Sequence, residues 1–468
     1  MSLPDTLPPS IADLGQFETD RAIGSPALSG GAEHEGGVYR VSAAGFNIWG
    51  RADEFRFVST RTSGDFVLSA AIDFVGRGAD PHRKACLMAR TDDSTDAAYV
   101  DVAVHGDGLI SVQCRTARGE ETSEVVATVR GVQQVELRRR GHYFSAWTRG
   151  VPITPEIRVD LPADLLVGIA VCSHRPDRVE TVVFSDVTLK STFATDRLYS
   201  VLEAIDVRTG ARRPLDVFDR WVEAPNWLRD GRILFNCEGA MFERSVEGPI
   251  TRIDTGAARS CNNDHGVSPD ERTLAISDAG DGQSRVFLVP IDGGEATLVT
   301  AERPSYWHGF APDGARITYT AERDGRGGIF TCALDGSDET RITTAIGLDD
   351  GPEYSPDGEY IYFNSDRTGR MQIHRVPAAG GDLEQVIRSD TADWFPHVAP
   401  DGQSFVHLAY APEVSGHPRD QEVEIVLTDL ATRTSRRLAQ MLGGQGTMNV
   451  PNWAADGSQI AIVSYLYG

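Results

Sequence analysis

Between residues 13 and 192 apolar and polar side chains alternate in short runs, and no stretch repeats its apolar positions at helical spacing. Residues 65–73, 98–105, 109–115, 132–139, 143–148, 165–172 and 181–189 each read as a strand. Turn residues separate them, among them Gly106-Asp107-Gly108 and Arg140-Gly141. Strands without helices bury their apolar faces most simply in two stacked layers, so the pattern predicts a β-sandwich over 13–192, preceded by a tail over 1–12.

From residue 196 the same alternation acquires a period. The turns Asp230-Gly231, Pro269-Asp270-Glu271, Pro312-Asp313-Gly314, Pro356-Asp357-Gly358, Pro400-Asp401-Gly402 and Asp456-Gly457 place Asp at intervals of 40, 43, 44, 44 and 55 residues. Pro sets φ, Asp caps its own backbone and Gly accepts positive φ, so this is turn chemistry. An apolar strand follows each turn (232–236, 273–277, 316–320, 360–364, 404–408 and 459–464). A second turn rich in Asp, Arg and Gly and two further strands complete the repeat, the size of a four-stranded propeller blade. The last repeat stops after two strands, and 198–207 with 211–215 can supply the missing pair, hiding the edges of the ring. The fold class is therefore all-β, a sandwich followed by a six-bladed β-propeller over 196–468.

Ser-Pro-Asp-Gly, an apolar strand, Ser-Asp-Arg-x-Gly, a strand and Asp-Gly-Gly together resemble the TolB-type propeller repeat over roughly 196–468. His417-Pro418 and the run Gly443 to Trp453 are similar to segments of bacterial TolB-like proteins of unassigned function. In the first domain, Leu87 to Arg90, Val135 to Arg139 with Phe144, Val167 to His174 and Val183 to Val187 resemble a concanavalin-A-like sandwich family, which is often appended to carbohydrate-directed proteins. Trp49, Trp147, His105, His142 and His174 are its candidates for a sugar face, with core or surface roles the plainer reading.

Charge narrows the partners. The formal charge of −23 argues against nucleic acid, which needs basic surface, and leaves room only for local basic pockets. The first residues carry neither a basic nor an apolar leader region, and no stretch is long and apolar enough for a membrane span. A cytoplasmic location is expected, or a periplasmic one if a signal has been removed. The six cysteines lack metal-ligand spacing and read as buried free thiols.

Counting back from each turn aligns the residues that enter the innermost strand of each blade. They are Asn226, Asp264-His265, Trp307-His308, Asp349-Asp350 with Glu353, Trp394 with His397, and Asn449 with Asn452. Most blades hold Pro where His265 and His308 stand (Pro225, Pro352, Pro396, Pro451), so the two histidines break the repeat's own pattern. Asp264, His265, His308 and Glu353 are the candidate catalytic set, since His titrates near neutrality. Imidazole and carboxylate also suit a divalent cation (manganese, calcium or zinc), with His265, His308 and His397 as ligands. The oligogalacturonate lyases, a related propeller family, use His ligands for a pore metal, and the resemblance implies the same here. However, their Gln-x-x-His-x-His cluster is absent, because Gln445 is followed by Asn449.

Trp307, Trp394, Asn226, Asp350 and Asn452 are expected to bind ligand at the same pore. The long excursion 410–421 brings His417 and Arg419 to that face, and Arg370 lies on a neighbouring loop as a partner for an anionic sugar. The expected ligand is an oligosaccharide or sugar-derived small molecule, cleaved by lyase or glycoside hydrolase chemistry. The alternative is a non-catalytic binding or scaffold protein, and homo-oligomerisation is left open.

Overall fold

Each Pro-Asp-Gly turn closes as its residues require. In the computed structural model, Ser355 Oγ donates to Asp357 Oδ1 at 2.5 Å and the Gly358 amide donates to the Ser355 carbonyl at 2.9 Å. Gly358 sits at φ 75°, and Glu271, where the repeat lacks its glycine, takes φ 54° in the same place. The structure describes residues 13–192, 195–246, 248–280, 282–344 and 347–468, so the expected tail at 1–12 lies outside the described residues.

These turns join the two inner strands of successive blades. Five four-stranded antiparallel sheets follow in chain order, beginning with Val222–Trp227, Cys261–Val267, Ser305–Phe310, Asp349–Tyr354 and Ala392–Val398. In the sixth blade Trp453 bridges to Ile460, Gln459–Tyr467 pairs with Leu198–Asp206, and Arg212–Phe218 forms the outer edge. The ring is thus closed by strands from both ends of the unit, and it is a six-bladed propeller.

Every innermost strand of the first five blades carries a register irregularity, at Glu223/Asn226, Cys261/His265, Trp307/Gly309, Asp350/Glu353 and Trp394/His397. In three of them a residue of positive φ precedes the proline: Ala224 at 56°, Gly351 at 61° and Phe395 at 53°. A bulge re-aims the side chains on either side of it. Polar groups on the second strand of one blade hold the kinked strand of the next. Ser277 Oγ accepts the Trp307 amide at 2.8 Å, and Asn364 Oδ1 accepts the Phe395 amide at 3.0 Å.

The chain divides between Arg197 and Leu198 into two compact units. The first is built on two large antiparallel sheets, with a two-stranded one at Ile48–Trp49 and Ala52–Asp53. One runs in the order Thr19–Ile23, Phe55–Ser63, Asp164–Cys172, Lys84–Arg90, Tyr99–His105, Ile110–Arg115, Ser123–Val126. The other is centred on Gln134–Arg140, Phe66–Phe74, Arg175–Lys190 and Val38–Gly45. A shared core of Leu87, Val102 and Val112 from one sheet and Leu68, Leu137 and Phe184 from the other lies between them. The opposite face of the first sheet is buried too. There Lys84 Nζ donates to the Ile48 carbonyl at 2.7 Å, and Arg115 grips Asp53 through two bonds of 2.8 Å. Trp147 is buried with Arg138 over its ring, whereas Trp49 is partly exposed beside Lys84, so the two rings serve separate places. All six cysteines are buried free thiols.

Candidate functional site

Residues ahead of and within the bulges line a cavity of about 350 Å³ at the pore mouth. Asn262, Asn263, Asp264, Tyr306, His308, Asp350 and Phe395 come from inner strands, Thr320 from a second strand, and Leu348 and Gln445 from adjoining loops. His417 completes the lining from the excursion 411–420. That excursion is pinned by the Tyr410 hydroxyl donating to the Pro418 carbonyl at 3.2 Å and by the close approach of Gly444. A Cβ on Gly444 would stand 2.2 Å from that carbonyl, and φ is 121°, so only glycine fits.

The titratable groups form a chain. His308 Nε2 lies 3.9 Å from Asp264 Oδ1 and 3.4 Å from Asp350 Oδ1, and His417 Nε2 lies 3.7 Å from Asp350 Oδ2. Asp264 also accepts from Asn262 Nδ2 at 2.6 Å and from Asn449 Nδ2 at 3.1 Å, while Thr320 Oγ1 donates to Asp350 at 2.8 Å. The His417 ring stands edge-on to Trp394 and Phe395, 4.5 and 5.1 Å between centroids.

These contacts separate the proton affinities. Burial works against ionising Asp350, but the contact with His308, the charges of both histidines and the Thr320 hydroxyl bring its pKa down to about 2. Burial raises Asp264 above the ordinary carboxylate value, with Asp350 adding to it and His308 opposing. For His308 burial disfavours the charged ring, but the two carboxylates outweigh it and its pKa stands above the ordinary value.

Residues behind the bulges belong to another storey. Asn226 and Glu353 line a separate cavity of about 240 Å³ together with Val267, Ser268, Pro451 and Trp453. Glu353 Oε2 lies 2.6 Å from His397 Nδ1, and His397 Nε2 donates to the Met448 carbonyl at 2.8 Å, so both ring nitrogens are engaged. Asn226 donates to the Pro451 carbonyl and Asn452 to the Ala461 carbonyl.

His265 is wholly buried, and burial lowers its pKa to about 4. Its nitrogens face the backbone at Ala224 and Asn262 without a well-formed hydrogen bond. Trp307 packs between blades, its ring filling the space a side chain on Gly266 would need. Arg419 is mostly exposed over Trp221, and Arg370 donates to the Ser389 carbonyl, away from the cavity lining.

Asp264, His308, Asp350 and His417 are therefore brought together, while His265, Glu353, His397, Trp307, Asn226, Asn452, Arg419 and Arg370 stand outside that cavity. The set His265, His308 and His397 does not fit a divalent cation: one ring is packed in the core and another is closed by Glu353 and Met448. Among the described residues no three His, Cys, Asp or Glu side chains could hold a metal ion. Glu223 was not singled out from sequence. Burial first, and Asp264 next to it, push its pKa up to about 7, against a hydrogen bond from Trp221. It stands two residues before Pro225, as Asp350 stands before Pro352, and that shared register was the available signal.

Comparison with known proteins agrees with the propeller. The family model described as TolB beta propeller domain matches residues 265–415. An uncharacterized protein of Agrobacterium fabrum is 44% identical over 282 residues, which cover 59% of this chain and 96% of that protein. A solved TolB-type structure from Agrobacterium tumefaciens, 44% identical, covers 58% of this chain and 99% of its own with a TM-score of 0.57. An oligogalacturonate lyase in complex with manganese matches 53% of this chain and 75% of its own at 16% identity and a TM-score of 0.37. No helix among the described residues is long and apolar enough to cross a membrane. The chain belongs to the family of TolB-like six-bladed β-propeller proteins.

Proposed function

We propose that the pore mouth binds a sugar-derived small molecule and acts on it by proton transfer, with Asp350, His308 and Asp264 as the acid–base set. One observation carries this reading: a single imidazole stands between two carboxylates whose proton affinities are pushed in opposite directions, inside a cavity of about 350 Å³. Groups held apart in this way can divide the roles of acid and base. Asp350 stays ionised and favours the charged form of His308, and Asp264 retains a proton more readily than an ordinary carboxylate. Asn262, Asn263 and Gln445 offer amides to hydroxyl groups, and Tyr306 and Phe395 offer ring surface. The matching chemistry is lyase or glycoside hydrolase cleavage, in which one group takes a proton and another protonates the leaving oxygen. We assign the N-terminal two-sheet unit to the concanavalin-A-like sandwiches, where it would hold the glycan.

Turnover of an oligosaccharide panel, neutral and anionic, tests the assignment. Asp350→Asn and His308→Ala are each expected to lower kcat by about 10²-fold or more. Unchanged turnover in both would overturn it.

A second reading, binding without turnover, is favoured by the hydrogen bonds that already hold both carboxylates, Asp264 by Asn262 and Asn449 and Asp350 by Thr320. It predicts a sugar retained at the pore by the native chain with no product formed.

A further inference from the structure

A groove of about 460 Å³ lies on the flank of the propeller, where the fourth blade hands over to the fifth. Residues 385–391 of that connection form one wall. The other comes from His407 on Ser404–Tyr410, Glu424 and Val426 on Gln421–Asp429, and the run from Arg433 to Arg437. Four arginines line it, Arg388, Arg433, Arg436 and Arg437, on a chain whose formal charge is −23. Part of that charge is compensated. Arg437 Nη1 donates to Glu424 at 2.6 Å, and Arg433 pairs with Glu384. Arg388 and Arg436 form no ion pair among the described residues, so the groove keeps an excess of positive charge.

The donors are also incompletely used. Arg433 Nη1 donates to the Gln385 and Val386 carbonyls and Arg436 Nη2 to those of Val207 and Arg208, which holds both side chains but leaves other N–H groups of each fork without a partner in these bonds. A register shift opposite Ile425/Val426 puts an extra residue into the edge strand at Arg437–Ala439, and the adjacent Arg436 and Arg437 both line the groove. At its base His407 is 2% exposed. Its Nε2 lies 3.6 Å from Asp393, and its Nδ1 is buried without a hydrogen-bond partner. A buried polar atom left open in this way calls for a ligand or another explanation.

We propose that this groove binds the phosphate or sulfate group of a small ligand, at a site separate from the pore. Guanidinium forks match the oxygens of such a group, and the Thr391 and Ser435 hydroxyls and the His407 ring line the same groove as further polar partners.

Isothermal titration of the full chain at low ionic strength with inorganic phosphate, and separately with inorganic sulfate, tests this against chloride at matched ionic strength. Saturable one-to-one binding of either ion is expected, and the stronger arm identifies the ligand group. Arg388→Gln and Arg436→Gln should each weaken it about tenfold, whereas Arg118→Gln on the other unit should not. Arg388 is exposed, so its variant keeps the test valid if loss of Arg436 disturbs the neighbouring loop. Absence of saturable binding by both ions, or binding unchanged in Arg388→Gln and in folded Arg436→Gln, would overturn the proposal.

Discussion

Glu223 holds the register before Pro225 that Asp350 holds before Pro352, yet the two carboxyls titrate in opposite directions. Burial, with Asp264 adding, lifts Glu223 from 4.5 to about 7. Between those values the folded chain retains a proton that the unfolded chain has released, so stability falls as pH rises through this window. Asp350, at about 2 against an ordinary 3.8, contributes stability that is complete above the ordinary value and lost as pH falls through 2. Glu223→Gln removes the cost of ionising Glu223 while keeping a partner for Trp221. Its stability at pH 8 should exceed the native value by about 1–3 kcal/mol, with no difference at pH 4, measured by urea unfolding at both pH values. A gain of equal size at both would show that packing, not titration, is responsible. Raised His308 acts with the sign of Glu223: the stability it adds is complete below its ordinary 6.5 and declines as pH rises through its folded value.

At the scale of the element, the bulge decides which residues meet. The turn signal was legible because Pro, Asp and Gly each answer a local backbone demand, and the count of six blades followed from its period. The kink was not legible. Ala224, Gly351 and Phe395 share no residue type, and only the backbone shows that all three take positive φ. Counting back from the turn therefore placed Asp350 and Glu353, or Asp264 and His397, at one mouth, although the bulge sends the first of each pair to the upper cavity and the second away from it. The polar side chains that hold these kinks were hidden for another reason: Asn364 sits in a run of strand formers, where its task lies on the next blade. Its Oδ1 accepts the Phe395 amide at 3.0 Å, and both groups are buried. Asn364→Ala should lower stability by about 1–3 kcal/mol, the cost of an unsatisfied buried donor. The measurement is the urea midpoint at constant slope. A loss below about 0.5 kcal/mol would mean that the kink is held by Pro396 and packing alone.

Over the whole molecule, ring closure rests on a nine-residue pairing, Leu198–Asp206 against Gln459–Tyr467, between segments at opposite ends of the propeller. Such contacts close the longest possible loop, so they form only if their register is strongly specified. Polar groups inside this seam help to specify it. Glu203 is fully buried, binds Arg212 through bonds of 2.9 and 2.7 Å, and accepts from the Ser464 hydroxyl across the closure. A slip by one residue would turn Glu203 toward the opposite face and leave Arg212 and Ser464 without it. Removing the carboxylate should therefore be far more costly than an exposed ion pair would suggest: Glu203→Ala is expected to lose about 3–5 kcal/mol, because it takes the counter-charge from a mostly buried guanidinium. Tryptophan fluorescence can follow this, since Trp221, Trp227, Trp307, Trp394 and Trp453 lie in the propeller against two in the other unit. The propeller transition should move to lower urea while remaining a single step, because blades that share a closed ring lose their edges together. If Glu203→Ala instead left the midpoint in place, closure would rest on apolar pairs such as Leu202 with Val463 and Ile205 with Ile460 alone, and the buried ion pair would contribute register without stability.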